Sequence, residues 1–165
     1  GDRLSIASAL NNLGTVALET GDFKGAKRLF SESLAIKREL GDRRGISSSL
    51  INLGGMSLNE GDVQKAFDLF VDALKIAFDI KEQSVTIDAL SWIAKIYTRQ
   101  GKKDFAVKIC CFAFNHPSSY SETKNRTKSM LSELGLQLSS DTYKKICESG
   151  KNLKIEDLVS EVLAR

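Results

Sequence analysis

The residues of this chain that could carry out chemistry are few and scattered. His116 is the one histidine among 165 residues. It lies in Asn115-His116-Pro117-Ser118-Ser119, which reads as a loop because proline fixes its own backbone and disfavours helix in the residue before it. A general base needs a partner within hydrogen-bond reach, and the neighbours of His116 offer none, so an exposed loop residue is expected. Cys110, Cys111 and His116 lack the fourth ligand and the spacing of a zinc site. The three cysteines, Cys110, Cys111 and Cys147, form an odd set. Adjacent cysteines rarely bridge each other, since a disulfide needs a specific geometry, so Cys110 is expected as a buried apolar filler and the chain in a reducing, cytosolic setting. Gly54-Gly55 follows no strand and precedes no Gly-Lys-Ser/Thr, which rules out a phosphate loop. Glu156-Asp157 read as favourable charges in the first turn of a helix. The sequence therefore predicts no catalysis, no cofactor and no metal.

The elements that would position any site are set by a repeat of 40 residues. Leu13-Gly14 returns as Leu53-Gly54 and, loosened, as Ile93-Ala94. A turn glycine recurs at Gly21, Gly61 and Gly101, and an alanine five positions on at Ala26, Ala66 and Ala106. Phe30 and Phe70 are followed by Cys110 in the third copy, which makes that cysteine a core filler. Each copy reads as two helices. In the first copy Ile6, Leu10, Leu13, Val16 and Ala17 form one apolar stripe, and Phe23, Ala26, Leu29, Phe30, Leu34 and Ile36 form the next. Gly21 and Gly41 suit helix ends, and Asp22 can cap the helix that follows. Gly14 and Gly54 let the paired helix approach closely, while Phe30 and Phe70 fill space towards the next unit. A hairpin of two helices cannot cover its own apolar faces, so stacked units are expected rather than a closed core.

The period ends at the loop around Pro117. Residues 121–136 restart a helix with Met130, Leu131 and Leu134 on its stripe. A shorter helix capped by Ser139-Ser140-Asp141 should run to Glu148 and stop at Ser149-Gly150. A last amphipathic helix is predicted from Ile155 to Leu163. The chain is thus expected to hold repeats at 1–40, 41–80 and 81–116, followed by capping helices over 117–165. Since the first residue is already in phase with the repeat, a longer parent protein is expected.

Net charge is +3, and residues 101–165 supply all of it, with 11 basic and 8 acidic side chains. So small a field does not point to nucleic acid. Lys124, Arg126 and Lys128 cluster without interleaved aromatics and read as a solvated helix face. No run approaches the roughly 18 apolar residues of a membrane span. A soluble, cytoplasmic protein with no membrane partner is expected.

Leu13, Gly14, Ala17, Gly21, Asp22, Phe23, Ala26, Phe30 and Leu34 together resemble the tetratricopeptide repeat. Leu53, Gly54, Gly61, Asp62, Ala66, Phe70, Ala73 and Leu74 continue the match, and Tyr97, Gly101, Ala106 and Ala113 keep it in the third copy, where Lys102 and Cys110 depart. The usual unit has 34 residues; a unit of 40 implies longer helices. This long form is similar to the C-terminal sensor arrays of large bacterial signal-transduction ATPases and transcriptional regulators. It is also similar to animal adaptors that orient the mitotic spindle. The tail, with Gly150 to Leu153 as a turn and Glu156 to Val159 in a helix, resembles the segment that closes the bacterial group.

The resemblance implies an all-α, right-handed superhelical solenoid of helix-turn-helix repeats with C-terminal capping helices, acting as a non-catalytic protein- or peptide-binding scaffold. A eukaryotic-type adaptor and a self-association module are the alternatives, and a homo-oligomer is a further partner expectation. In such arrays the first helix of each pair lines a concave groove. Here that line is Ser8, Asn11, Thr15 and Glu19, then Ser48, Ile51, Gly55 and Asn59, then Asp88, Ser91, Lys95 and Arg99. Asn12 and Asn52 flank it, with amides that both donate and accept. The family's two-carboxylate clamp would need lysine at position 11 and asparagine at position 15. Lys95 and Arg99, one turn apart, are suited to an acidic group.

Overall fold

The computed structural model describes residues 2–165, which form nine α-helices and no strand among the described residues. None of these helices is long and apolar enough to cross a membrane. They gather into two compact units, Gly1–Lys81 and Glu82–Arg165.

The first unit is two hairpins, α1 (Asp2–Glu19) with α2 (Phe23–Leu40) and α3 (Arg43–Asn59) with α4 (Val63–Asp79). Local chemistry sets their ends. The Asp22, Asp42 and Asp62 carboxylates accept the backbone N–H of Gly25, Gly45 and Lys65 at 2.9, 2.9 and 3.1 Å, each satisfying a donor that the helix start leaves orphaned. Gly21, Gly41 and Gly61 take φ of +83, +69 and +85° at the turns, a region that costs a side chain energy. At the fourth turn Lys81 takes it instead, with φ 59°.

Inside each hairpin a missing side chain on one helix admits a ring from the other. A Cβ on Gly14 would lie 2.7 Å from Phe30 Cε1, and one on Gly54 would lie 2.5 Å from Phe70 Cε1. Phe30 and Phe70 are buried in consequence, each ring contributing about 1.5–3 kcal/mol by leaving water. Phe30 also reaches the following hairpin, where it and Ala26 of its own helix cluster with Met56. Between the helices of the first hairpin, the buried Ser33 hydroxyl donates to the Ala7 carbonyl at 2.7 Å. Where α2 meets α3, the buried Lys37 ammonium donates to Ser49 Oγ at 3.0 Å.

One expected stripe departs from the pattern. On α1 only Ala7 and Gly14 are buried, whereas Ile6, Leu13 and Val16 are 46, 56 and 54% exposed. Their equivalents on α3 differ because α2 lies against that helix: Met56, one period after Val16, is 2% exposed. The same apolar side is present on both helices, but within this unit only α3 has a neighbour to cover it.

The second unit holds α5 (Gln83–Arg99), α6 (Lys103–Asn115), α7 (Ser121–Gly135), α8 (Ser140–Lys151) and α9 (Ile155–Leu163). Helix α5 is buried on most sides, from Val85 through Ile87, Leu90, Ile93 and Ile96 to Tyr97. It packs on α6 and α7, and α8 packs on α6. Two sequence expectations change here. Gly150 does not end α8 but sits buried inside it, because a Cβ there would meet the Lys108 carbonyl at 2.6 Å and Cys111 Cβ at 3.1 Å. The absent side chain lets α8 close on α6. At that contact Cys111 and Cys147 form a disulfide, so these two are a tether rather than the free thiols expected of a reducing setting. Cys110, next door, is free and buried as expected of its place in the repeat.

Candidate protein-interaction surface

The first helix of each hairpin carries the residues singled out by the repeat. In the first unit, Ser8, Asn12, Thr15 and Glu19 on α1 and Asn59 on α3 are exposed, while Asn11, Ser48 and Asn52 are half-buried and Ile51 is buried. Asn52 Nδ2 donates to Asn11 Oδ1 at 3.1 Å, so the first helices of the two repeats, α1 and α3, are joined at this pair. Each amide thereby uses one of its two polar atoms. The hydroxyls of Ser8, Thr15 and Ser48 turn back onto carbonyls four residues earlier, Leu4, Asn11 and Arg44, which is the usual local competition of such side chains.

In the second unit, Asp88, Ser91, Lys95 and Arg99 follow one line of α5, and α7 answers them. Arg126 pairs with Asp88, and it donates to Ser91 Oγ from Nη2 at 2.7 Å and from Nε at 3.1 Å. Thr123 donates to the same Asp88 oxygen at 2.6 Å. The guanidinium lies 4.2 Å from the Trp92 ring centroid, and Lys95 Nζ lies 5.0 Å from it, both within cation–π range. Arg126 is therefore half-buried and fixed, in contrast to the solvated cluster expected of Lys124, Arg126 and Lys128. Ser91 is buried, Asp88 and Lys95 are half-buried, and Arg99 is exposed. Burial pushes the Lys95 ammonium below its ordinary range, and the positive charges of Arg99 and Arg126 push it the same way. Thr123 and Arg126 lie outside the repeat, because the loop around Pro117 breaks the register, whereas Trp92 occupies the position of Asn12 and Asn52 in the third copy. No spacing rule joins residue 126 to residue 91.

The groups weighed for catalysis are placed in ways that quiet them. The Cys110 thiol is pushed up to about 12 by burial, so it stays protonated and a poor nucleophile. His116 is half-buried rather than exposed. Its Nδ1 accepts the Ser118 N–H at 3.2 Å and its ring lies 5.2 Å from that of Phe112. Burial and the nearby Lys124 hold it below the usual histidine range. No group of three or more His, Cys, Asp or Glu able to hold a metal occurs among the described residues.

Residues 5–77 match the family model described as tetratricopeptide repeat. No curated protein matches the chain. The matched residues span both hairpins of the first unit, with their Gly14–Phe30 and Gly54–Phe70 contacts and their aspartate caps. Over residues 5–77 this all-helical chain is similar to the tetratricopeptide repeat family, and its nine helices among the described residues fit a protein of that kind.

Proposed function

We propose that this chain is a non-catalytic scaffold that binds a protein or peptide along the first helices of its hairpins. In this reading it is the interaction arm of a larger bacterial signalling regulator, acting in the cytoplasm. The repeats at 1–40, 41–80 and 81–116 present the surface, and residues 117–165 close the array. The observation that carries the proposal is the face shared by α1 and α3. There the Asn11–Asn52 amide pair leaves a donor on Asn11 and an acceptor on Asn52 beside exposed Asn12 and Asn59, a pattern suited to the backbone of an extended peptide. The Cys111–Cys147 bridge weighs against a permanently reducing compartment, and thiol trapping in cells decides that part. The scaffold reading is tested by pull-down with the chain and with Asn11→Ala/Asn52→Ala/Lys95→Ala. A partner held by the first and lost by the second, at equal helicity and melting temperature, supports it. A partner held equally by both ends it.

A second reading, self-association, draws on the exposed Ile6, Leu13 and Val16 of α1. Light scattering over a concentration series should show a dimer that Leu13→Asp/Val16→Asp abolishes. A monomer at every concentration removes this reading.

A further inference from the structure

Helices α5 and α7 of the second unit flank an open cleft of about 380 Å³ whose wall carries three cations and one carboxylate. We propose that this cleft binds a compact anionic side chain, carboxylate or phosphate, presented by a partner peptide; the proposal rests on the scaffold reading above and adds the chemistry of the partner.

Lys95 and Arg99 reach the cleft from α5, and Arg126 reaches it from α7. Neither Lys95 nor Arg99 forms an ion pair with any described residue, whereas Arg126 is anchored by Asp88, Ser91 and the Trp92 ring. An anchored guanidinium costs little further ordering when a ligand arrives. Glu133 is the one carboxylate on the cleft wall. The hydroxyl of Thr98 is already committed to the Ala94 carbonyl at 3.0 Å, which leaves Ser129 on α7 as the neutral donor beside the cations. Burial first, and then the charges of Arg99 and Arg126, depress the Lys95 ammonium, which has no paired counter-charge among the described residues. An incoming anion supplies it through charge-assisted hydrogen bonds, which are about twice as strong as neutral ones.

Nucleic acid fits less well. Single-stranded binding relies on free aromatic faces on which bases stack, and Arg126 and Lys95 already lie within cation–π range of the Trp92 ring. The cleft is also one local site, not a stripe that could follow a phosphate backbone.

Trp92 is the only tryptophan in the chain and reports on both cations that stack on it. Its emission is followed while the chain is titrated, at constant ionic strength, with a hexaglutamate peptide, with inorganic phosphate and with a neutral hexaglutamine peptide. A saturable change with hexaglutamate or with phosphate, absent with hexaglutamine, is expected, and the anion that binds tighter names the side chain. Lys95→Gln/Arg99→Gln should weaken that binding about tenfold or more, the equivalent of one or two charge-assisted contacts. Lys124→Gln/Lys128→Gln removes equal charge from α7 outside the cleft lining and should leave affinity within about twofold, the exposed-charge scale. The proposal is overturned by no saturable change, by a response that survives the Lys95/Arg99 variant, or by equal weakening in the control pair. Partner capture that depends on Asn11 and Asn52 while both anions are silent would retire this cleft and leave the scaffold reading standing.

Discussion

Gly54→Ala should destabilise the first unit, although alanine is the better helix former. In a helix interior the exchange is worth about 0.5–1 kcal/mol in favour of alanine. Against this, the new Cβ would lie 2.5, 2.8 and 3.0 Å from Cε1, Cδ1 and Cζ of Phe70. Phe70 is fully buried, so its ring has nowhere to swing. Overpacking of this kind costs about 1–3 kcal/mol, and the steric loss outweighs the gain by about 1 kcal/mol at mid-range values. Helix α3 cannot back away, because α2 and α4 hold it from two sides. Helix α1 has no such second neighbour in its unit, so Gly14→Ala, with its Cβ 2.7 Å from Phe30, should cost less. The assay is urea unfolding followed by far-UV circular dichroism. A double-mutant cycle with Phe70→Leu isolates the contact: the added methyl should recover space that leucine vacates, giving a coupling of about 1 kcal/mol that offsets the single losses. A Gly54→Ala protein stabilised by the bare propensity increment, or a cycle additive within about 0.3 kcal/mol, would refute the argument.

Met56→Ala should cost about 2–5 kcal/mol, whereas Val16→Ala, one period earlier and 54% exposed, should stay within about 0.5 kcal/mol; equal costs in urea unfolding would contradict the difference in cover. Unfolded without reductant, the chain should give one thiol per molecule with a thiol-specific dye, that of Cys110, because Cys111 and Cys147 are bridged. Reduction should then lower stability by up to about 4 kcal/mol, the loop-closure value for a separation of 36 residues; three thiols before reduction would dispose of the bridge. The last prediction concerns pH. Burial holds the Lys37 ammonium below its usual range, against a smaller upward pull from Asp42. With the folded pKa below the unfolded 10.5, the native state loses its proton first, so stability from this group rises as pH climbs through the folded value towards the unfolded one. Lys37→Met/Ser49→Ala should therefore exceed the parent by about 1 kcal/mol at neutral pH, and the gap should close in the alkaline range; a gap that does not change with pH would exclude burial as its cause.

What the sequence determined is what neighbours along the chain determine. Helix starts at Phe23, Arg43 and Val63 follow from an aspartate whose carboxylate reaches an amide three residues ahead. The turns follow from glycines that enter a left-handed conformation at little cost. Close hairpin packing was legible too, because Gly14 and Gly54 recur in phase with Phe30 and Phe70. Cover and partnership belonged to the tertiary structure. The apolar stripe of α1 reads like that of α3, yet Val16 meets water where Met56 meets α2, since burial depends on the next helix in space. Cys111 looked like its neighbour Cys110 until Gly150 let α8 close on α6 and bring Cys147 to it. Arg126 looked solvated until α7 lay against α5 and gave it Asp88, Ser91 and Trp92. Periodicity records which face of a helix is apolar or polar, and only the docking of distant segments decides which groups on that face find each other.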